Sequence, residues 1–549
     1  MRAACLSLLF PVLALAQMQD LATTDDGFQL YFSSTLRLKG TDQYTSPKIF
    51  RYTDGQFELF HQEKYFTPFL GSGKTNPYQL VSPDVSGDGQ LVAYTAIAMC
   101  SGGSSCINFA RNTGYLNSSS AEPSVLTDGT LRISRDKRYV LRFGGEALTS
   151  ARNALIELSS GTLTDLTRYS IIGDGRQSLA DNGVVLLSQN GGLSLWRNGS
   201  TVPAGINTIP LVARIDRKAG MIVYETGASG ATQRLKSFNV AAGRETFLAE
   251  GYVWPTPRFR PSLSSDGTLV LYLDAQESDK LAQVFVQLTN GSGKRQLTHE
   301  PDGIVEAVLS GNGNVAFAVT SSATILRIDV GSGSIIELLS SPPQIRNIVG
   351  SGAGSFSRIK GVNLLDADLR VGLLLPPVLA RTESEIDIQI PWETPIDSGS
   401  TVISASNKSA FESVFEIFAG VMAPRFESVV VHQGFDALVT PQNPAKPGEI
   451  LHFYLTGLGA VTPPVATGQA TPATELHNTV SQPDCSFSDS PGDVPAGVLF
   501  TGLAPRLIGI YQMDVMVPAG IILDPRLSCV FPTRLGTFTI STDNIPIAR

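Results

Sequence analysis

A repeat of about 48 residues runs through the first two thirds of this chain, and it constrains the fold more than any other feature of the sequence. Each unit has a polar turn followed by a short alternating strand, as in SSDGTLVLYLD and SGNGNVAFAVT. Self-similarity at ~40–50 residues with strand patterning is the signature of a β-propeller blade. The recurring strands begin near Phe28, Gln90, Arg138, Val184, Met221, Thr268 and Asn314.

The repeat predicts an all-β fold, with a β-propeller of about seven blades over residues 17–341 and six or eight blades as alternatives. Asp-Gly and Asn-Gly pairs in the turns tolerate the positive φ that tight hairpins require. A single blade cannot bury both of its faces, so its neighbours must cover them. Composition agrees, because 52 glycines, 33 prolines and only 16% charged residues favour short strands and turns over long helices.

Two of the repeats carry a more specific pattern. The phrases SPDVSGDGQLVAYT and PSLSSDGTLVLYLD, together with KRQLTHEPDG, resemble the TolB-type, WD40-like propeller repeat. That family includes protein-binding propellers and the propeller halves of some peptidases. The resemblance therefore implies a shape and does not imply a reaction.

The composition changes after the segment VGSGAGSFS, and the rest of the chain is rich in Pro, Val and Ile with frequent turn signals. This pattern predicts two Ig-like β-sandwich modules, at residues 342–423 and 424–549. The segments QIPWETP, KPGEILHFYLTGLGAVTPP and FTGLAPRLIGIYQMDVMVPAG resemble the uncharacterised Solibacter-type C-terminal domain of secreted acidobacterial proteins. The resemblance implies an extracellular module of unknown activity, with no catalytic residues to transfer.

The apolar stretch GVLFTGLAPRLIGIYQMDVMVPAG at residues 497–520 could be a membrane span, part of an active site, or strands of a buried sheet. A membrane helix would not place Pro505 and Arg506 near its middle and Asp514 shortly after them. Alternation of Tyr511 and Met513 with polar neighbours instead fits a strand with one buried face. We therefore predict two strands joined by a turn at Ala504-Pro505.

The N-terminus and the cysteines both indicate export. MRAACLSLLFPVLALAQ has a short basic start, an apolar core and an A-x-A site, which predicts a signal peptide over residues 1–16 and a secreted, periplasmic or cell-surface protein. Four cysteines remain after Cys5 is removed with the signal, and zinc is the rival role for them, but no C-x-x-C supports it. We predict two local disulfides in an oxidising compartment, Cys100–Cys106 and Cys485–Cys529.

Sequence motifs for other chemistry are incomplete. The net charge of −8, without any basic run, argues against a nucleic-acid partner. LGSGKTNP lacks the first glycine of a phosphate loop and the helix that must follow it. DVSGDGQ places Asp84 and Asp88 at calcium-loop positions, but Thr95 stands where a bidentate Glu is needed, which favours a blade turn. No G-x-S-x-G or H-E-x-x-H occurs, so we assign no catalytic, metal or cofactor-binding residue.

These features predict a binding or scaffold protein of the cell envelope or extracellular space, non-enzymatic, with the propeller as its recognition platform. Its partner would be a protein or a polysaccharide of the envelope or extracellular matrix, and no transmembrane segment is expected after signal removal. The alternatives are an exported propeller hydrolase acting on glycan or peptide, and a periplasmic accessory of an envelope complex.

The repeat is weakest over residues 99–125, where MCSGGSSCINFARNTGYLNSSSAEP interrupts the cycle. Long irregular loops in compact domains are often functional, and a Cys100–Cys106 bridge would lower the entropy cost of ordering this one. We therefore take Arg111 and Tyr115 as a candidate binding loop. The alternative is a surface excursion without a function.

Overall fold

The structure is a computed structural model whose described residues form strands, turns and loops and contain no helix. The chain divides into two compact units, Met1–Pro342 with Lys408–Phe411, and Pro343–Asn407 with Glu412–Arg549. The all-β class is confirmed. The described residues are 18–40, 47–62, 79–99, 110–118, 124–144, 153–227, 232–251, 259–275, 281–395, 401–417, 424–489, 492–521, 525–533 and 536–548.

Seven antiparallel sheets follow one another along the described part of the first unit, in the order of the sequence repeats. Consecutive strands are neighbours in every sheet, so each blade is a meander, and the β-propeller prediction is confirmed. Blades 1 to 3 contain β1 (Met18–Thr23), β2 (Leu30–Ser34), β4 (Lys48–Thr53) and β5 (Gln56–His61), with the short strand β3 (Arg37–Leu38) between β2 and β4; then β6 (Gln79–Val85), β7 (Leu91–Met99), β8 (Ala110–Ser118) and β9 (Ser124–Asp128); then β10 (Thr130–Ile133), β11 (Tyr139–Phe143), β12 (Ala154–Glu157) and β13 (Leu163–Asp165).

Blade 4 differs from the others because its described sheet has three strands. The position of its innermost strand is taken by residues 170–179, which make only the isolated bridges Ser170–Ser188 and Leu179–Val185. Blades 4 to 7 contain β14 (Val185–Gln189), β15 (Gly192–Arg197) and β16 (Ser200–Pro203); then β17 (Val212–Ile215), β18 (Met221–Thr226), β19 (Gln233–Asn239) and β20 (Arg244–Gly251); then β21 (Ser262–Leu263), β22 (Leu269–Asp274), β23 (Gln283–Leu288) and β24 (Arg295–Gln296); then β25 (Ile304–Leu309), β26 (Val315–Thr320), β27 (Ile325–Asp329) and β28 (Ile335–Leu339).

Apolar side chains between neighbouring blades form the cores of the propeller. The first and last blades share one of them, in which Phe32 of β2 packs with Phe317 and Val319 of β26. The backbone N–H groups of Asp20 and Leu21 in β1 also donate to the carboxylate of Glu306 in β25, at 2.7 and 2.8 Å. Side-chain packing and these bonds therefore close the ring between blades 7 and 1.

The described strands of the second unit belong to four antiparallel sheets in two groups. Ile359 and Ile386 of one sheet share a core with Ile403 and Ile417 of the next, and a separate core surrounds Phe453. The strands are β29 (Gln344–Val349), β30 (Phe356–Val362), β31 (Asp368–Val371), β32 (Val378–Arg381), β33 (Glu385–Gln389), β34 (Thr401–Ser406), β35 (Phe411–Ile417), β36 (Arg425–Val431), β37 (Ile450–Thr456), β38 (Val461–Thr462), β39 (Asn478–Thr479), β40 (Asp484–Asp489), β41 (Gly492–Pro495), β42 (Gly497–Leu503), β43 (Tyr511–Met516), β44 (Arg526–Thr533) and β45 (Gly536–Ser541).

The stretch 497–520 forms the antiparallel pair β42 and β43, as its alternation predicted. Tyr511, Met513 and Val515 of β43 are fully buried, because they face the core around Phe453. The turn between the two strands includes Arg506 in the left-handed region, with φ of 66°. Among the described residues, no helix has the length and apolar character needed to cross a membrane.

The structure contains a disulfide between Cys485 and Cys529. The two residues face each other in the register of β40 and β44, which brings their side chains to the same face of the sheet. Residues 1–16, Cys100 and Cys106 lie outside the described residues, so the signal peptide and the second disulfide stay predictions.

Candidate functional site

The polar turns of the repeat are built by a short side-chain motif, which the turn Ser264-Ser265-Asp266-Gly267 illustrates. The Ser264 hydroxyl donates to Asp266 Oδ1 at 2.6 Å and accepts the backbone N–H of Leu269 at 3.0 Å. Asp266 accepts the N–H of Thr268 at 3.0 Å, and Gly267 has φ of 75°. These bonds replace backbone partners that a tight turn leaves unsatisfied. Equivalent bonds occur in the turns that begin at Thr24, Ser86, Ser134 and Ser310.

The second residue of each turn joins its blade to a neighbour. The N–H of Asp25 donates to the carbonyl of Gly87 at 2.8 Å, and the N–H of Gly87 donates to Arg135 at 2.7 Å. Similar bonds run from Asp181 to Arg217, from Arg217 to Ser265, from Ser265 to Gly311, and from Asn312 to Asp25. Between blades 3 and 4, the N–H of Asp136 donates to the Asp181 carboxylate at 3.0 Å. These bonds form a continuous ring of turns.

Asp25 stands at the centre of this ring. Its carboxylate accepts Arg135 Nε and Arg217 Nη1, both at 2.9 Å, and the Ser265 hydroxyl at 3.1 Å. A Cβ at Gly311 would lie 1.8 Å from an Asp25 oxygen, and a Cβ at Gly87 would lie 2.2 Å from the other. Both turns therefore require glycine, because the Asp25 carboxylate fills the space that any larger side chain would need. We call Asp25, Arg135, Arg217 and Ser265 the Asp25 cluster.

A cavity of about 360 Å³ borders the Asp25 cluster and is lined by the innermost segments of the blades, which places it on the propeller axis. We call it the axial cavity. Its wall is irregular, because β1, β6 and β25 each carry a bulge or register shift there. Four non-glycine residues on or next to this wall have left-handed backbones: Asp20, Ser82, Gln177 and Arg260, with φ of 61°, 55°, 48° and 43°. Each such residue costs roughly 1–2 kcal/mol relative to an ordinary strand conformation.

Arg176 links blade 4 to blades 1 and 7 across the cavity. Its Nη2 donates to Asp20 Oδ1 and its Nη1 to Glu306 Oε1, both at 2.8 Å. Burial opposes the charged form of Arg176, but the charges of Glu306 and Asp20 outweigh it and raise the pKa of the guanidinium. The two carboxylates also accept backbone N–H groups of β1 and β6. These additional bonds hold the carboxylates in place as acceptors for Arg176.

A second ion pair joins Arg214 of β17 to Asp174. Arg214 Nη1 lies 2.9 Å from Asp174 Oδ1, and its Nη2 lies 3.1 Å from Oδ2, which is a bidentate arrangement. Burial raises the pKa of Asp174, but the charges of Arg214, Arg176 and Arg132 exceed this effect and hold the pKa far below its ordinary value. Asp174 is therefore a permanent anion at neutral pH.

Arg132 and Arg260 differ from the other arginines of the cavity. Arg132 is 1% exposed and donates to the carbonyl oxygens of Asp174, Ser82 and Leu131. Arg260 is exposed, and its Nη1 donates to the carbonyl of Val305 at 2.8 Å. Among the described residues, no carboxylate lies within ion-pair distance of either guanidinium. The six arginines that line the cavity are Arg132, Arg135, Arg176, Arg214, Arg217 and Arg260, and the five carboxylates are Asp20, Asp84, Asp174, Asp216 and Glu306.

The structure places the candidate binding loop differently from the sequence analysis. Arg111 and Tyr115 belong to strand β8, which pairs with β7, and not to an irregular loop. Tyr115 is 8% exposed and its ring stacks on Tyr94 with centroids 5.3 Å apart. The sequence ARNTGYLNS lacks clear alternation because its polar residues occur on both faces, and this concealed the strand. The irregular part of the segment, including residues 100–109, lies outside the described residues.

The two aspartates of the calcium-like motif are held by protein groups. Asp84 accepts the N–H of Ile133 at 2.9 Å and that of its neighbour Val85. Asp88 occupies the third position of its turn, where it accepts the Ser86 hydroxyl and forms an ion pair with Lys137. Among the described residues, no group of three or more His, Cys, Asp and Glu side chains could hold a metal ion.

None of the residues of the axial cavity was predicted as a binding residue from the sequence, and Asp84 was noted only in an incomplete calcium motif. A usable signal was present, because the second position of four turns carries a charged residue of varying sign, namely Asp25, Arg135, Asp181 and Arg217. Variation at a fixed position of a repeat can mark the place where blades differ in function. The residues of the innermost strands carried no such signal, because the bulges break the alternation there.

No protein-family model matches this chain, and no curated protein is similar to it. The resemblance of the C-terminal unit to the Solibacter-type domain therefore stays a resemblance. Among solved structures, TolB from Acinetobacter baumannii is 14% identical, with 50% of this chain and 53% of that chain covered and a TM-score of 0.29. This chain thus spans about half the length of that TolB.

Two further structures have similarly low sequence identities and TM-scores. The oligogalacturonate lyase from Vibrio parahaemolyticus is 11% identical, with 55% of this chain and 85% of that one covered and a TM-score of 0.37. The C-terminal WD40 domain of Sif2 is 12% identical, with 57% and 96% covered and a TM-score of 0.34. Such likeness concerns the fold alone. That the first unit is a β-propeller rests on its own sheets.

Proposed function

We propose that this protein is an exported or cell-envelope binding protein that recognises its partner at the axial cavity of the propeller and does not catalyse a reaction. The observation that carries this proposal is the left-handed backbone at Asp20, Ser82, Gln177 and Arg260. Strained non-glycine residues and bulges are costly, and in proteins they gather at ligand sites, where they aim groups that a regular strand would turn elsewhere.

The state of the cavity side chains supports binding over hydrolysis. A general acid needs a carboxyl group that keeps its proton near neutral pH, whereas Asp174 is held ionised by three arginines. Asp20 and Glu306 are each bound by Arg176 and by backbone N–H groups. The hydroxyl of Ser265 donates to Asp25, a carboxylate already engaged by two arginines, and so lacks an available base.

A role as an accessory of an envelope complex is one form of this binding function. The export signal in the N-terminal sequence supports an envelope or extracellular location. A hydrolase acting on glycan or peptide would need a free acid–base pair or a nucleophile with its base, and the described cavity residues offer less support for that alternative.

Site-specific photo-cross-linking tests where the partner binds. Benzoylphenylalanine replaces Leu211 in the cavity, Arg197 at an exposed end of β15, or Leu373, which is 92% exposed in the second unit. Each full-length mature protein is incubated with envelope and polysaccharide fractions and irradiated. We expect a discrete adduct from position 211 alone. An adduct from position 373 alone would assign binding to the second unit and refute the proposal.

A further inference from the structure

We propose that the axial cavity recognises a carboxylate group of an acidic peptide segment in a partner protein, with Arg260 as the residue that contacts it. This inference rests on the binding function proposed above and names its ligand. Three features of the cavity support it: the buried Arg132, the free hydrogen-bond donors of Arg260, and the size of the space.

Among the described residues, no carboxylate contacts the buried guanidinium of Arg132. Four of the six arginines of the cavity are in contact with carboxylates, but the fully buried Arg132 is held by carbonyl oxygens. Burial lowers the pKa of Arg132, and the more distant charge of Asp84 only partly opposes this effect. A buried charge without a contacting counter-ion is unfavourable, so an anion that enters the cavity is stabilised by it.

The five carboxylates that line the cavity have little capacity left to bind an added cation. Asp20, Asp174 and Glu306 accept arginine side chains, as described above. Asp84 accepts the N–H of Ile133, and Asp216 accepts the N–H groups of Gly220 and Met221 inside its own turn. The spare groups at the cavity surface are therefore donors, which favours an anionic ligand over a cationic one.

Arg260 supplies these spare donors. Its Nη1 is fixed on the Val305 carbonyl, and among the described residues its Nε and Nη2 have no hydrogen-bond partner. The next residue of β25, Glu306, holds Arg176, so adjacent residues of one strand each bind an arginine side chain of the cavity. A guanidinium fork binds a carboxylate with two parallel hydrogen bonds, which gives geometric selectivity as well as energy.

The size and the walls of the cavity favour an acidic side chain or a chain terminus. A volume of about 360 Å³ is at the low end of ligand pockets, which span roughly 300–1,000 Å³. Leu21, Ile133, Val212 and Leu263 line the cavity and could pack on an aliphatic stem. A row of sugar rings would exceed this space. We therefore place an acidic peptide ahead of an anionic polysaccharide.

Calorimetric titration of the full-length mature protein with poly-L-glutamate tests the proposal, with polygalacturonate and poly-L-lysine as comparison probes. The chain has a net charge of −8, so non-specific attraction of a polyanion is disfavoured. We expect poly-L-glutamate to bind and R260Q to weaken its binding by roughly tenfold or more, because a charge-assisted hydrogen bond is lost. R260K should give an intermediate affinity, since it keeps the charge and loses the fork.

R197Q is the matched control, because Arg197 is an exposed strand-end arginine outside the cavity, and it should leave the affinity unchanged. If R260Q fails to fold, two other measurements test the role of Arg260 and of the carboxylate. One is the affinity of R260K, and the other is whether free glutarate competes with poly-L-glutamate for the unmodified protein. Equal affinity in R260Q, or no poly-L-glutamate binding, overturns this inference. If only polygalacturonate binds, and R260Q abolishes that binding, the ligand is an anionic polysaccharide and the acidic-peptide proposal is wrong. If position 211 still cross-links a partner in either case, the binding function stands and only the ligand class is wrong.

Discussion

Single residues in this propeller are decided by what surrounds them in space more than by their own preferences. Lys48 is an example, because it begins β4 opposite Ser34 and is fully buried. Its ammonium group lies 3.3 Å from the carbonyl of Thr35. Burial, assisted by the charge of Arg37, lowers the pKa of Lys48 to about 7. Lysine is rarely fully buried, so the segments packed around Lys48 decide its burial and its own preference does not.

The shifted pKa of Lys48 predicts a pH dependence of stability. The unfolded chain has a lysine pKa of about 10.4, so between pH 7 and pH 10 it binds more protons than the folded protein. Stability should therefore rise with pH across that window, by up to ~1.4 kcal/mol per pH unit from this group, and should stop changing above it. Urea unfolding at pH 7 and pH 9 should show this rise in the unmodified protein and a smaller one in Lys48→Met.

Lys218→Met is the control for this measurement, because Lys218 is exposed in the turn before β18. It should leave the pH dependence as it is in the unmodified protein. Equal pH slopes for the unmodified protein and Lys48→Met would show that Lys48 keeps an ordinary pKa when folded.

At the scale of elements, the turns determine how the blades join. The repeated Ser/Thr and Asp/Asn residues fold each turn from within, and this local chemistry is visible in the sequence. The residue between them points to the axis and bonds to another blade, as Asp25 does with Gly87, Arg135, Arg217 and Ser265. The same short motif therefore sets the hairpin and the assembly of the ring.

Gly311→Ala tests this assembly at one turn. The added Cβ would lie 1.8 Å from Asp25 Oδ1 and 2.5 Å from the Ser265 hydroxyl, so the Asp25 cluster must move. We expect a loss of ~2–4 kcal/mol in the free energy of unfolding, the range for breaking a buried charged network. Gly220→Ala is the control, because its Cβ would meet its nearest neighbour at 3.9 Å. Thermal and urea unfolding of both variants measures these changes in the free energy of unfolding. Equal destabilisation of the two variants would contradict a steric role for Gly311.

At the scale of the molecule, the first unit is completed by residues that are far away in sequence. Lys408–Phe411 belong to it, although they lie more than sixty residues beyond its last blade. Phe411 is fully buried, with its ring 5.0 Å from that of Phe50 and 5.4 Å from that of Phe57. The propeller core therefore needs a segment that the repeat does not predict.

Phe411→Ala should destabilise the first unit by ~3–5 kcal/mol, because a large buried ring is replaced by a cavity. Hydrogen exchange of β2, β4 and β5 should accelerate, since these strands pack around Phe411. Phe28→Ala is the control, because Phe28 is 53% exposed in a turn of the same unit, and it should cost less than ~0.5 kcal/mol. Unchanged exchange in β2, β4 and β5 of the Phe411 variant would place Phe411 outside the propeller core.

The sequence by itself determined the all-β class of this protein and the β-propeller within it. Turn motifs and strand alternation are local, because they depend on hydrogen bonds and side-chain periods within about ten residues, so they can be read without a fold. Tyr511 and Met513 were correctly assigned to a buried strand face for this reason. Cys485 and Cys529 were also correctly paired, from their separation from the other two cysteines.

The tertiary structure alone decided the site. Arg176, Glu306 and Asp20 come from three blades, and their attraction depends on distances that closure of the ring creates. The left-handed backbone at Arg260 is likewise imposed by its surroundings, because arginine has no preference for it. Arg111 and Tyr115 looked like a loop because their segment interrupts the repeat, yet pairing with β7 holds them in a strand. Local chemistry fixes the elements, while long-range packing and charge select the residues that face the axis.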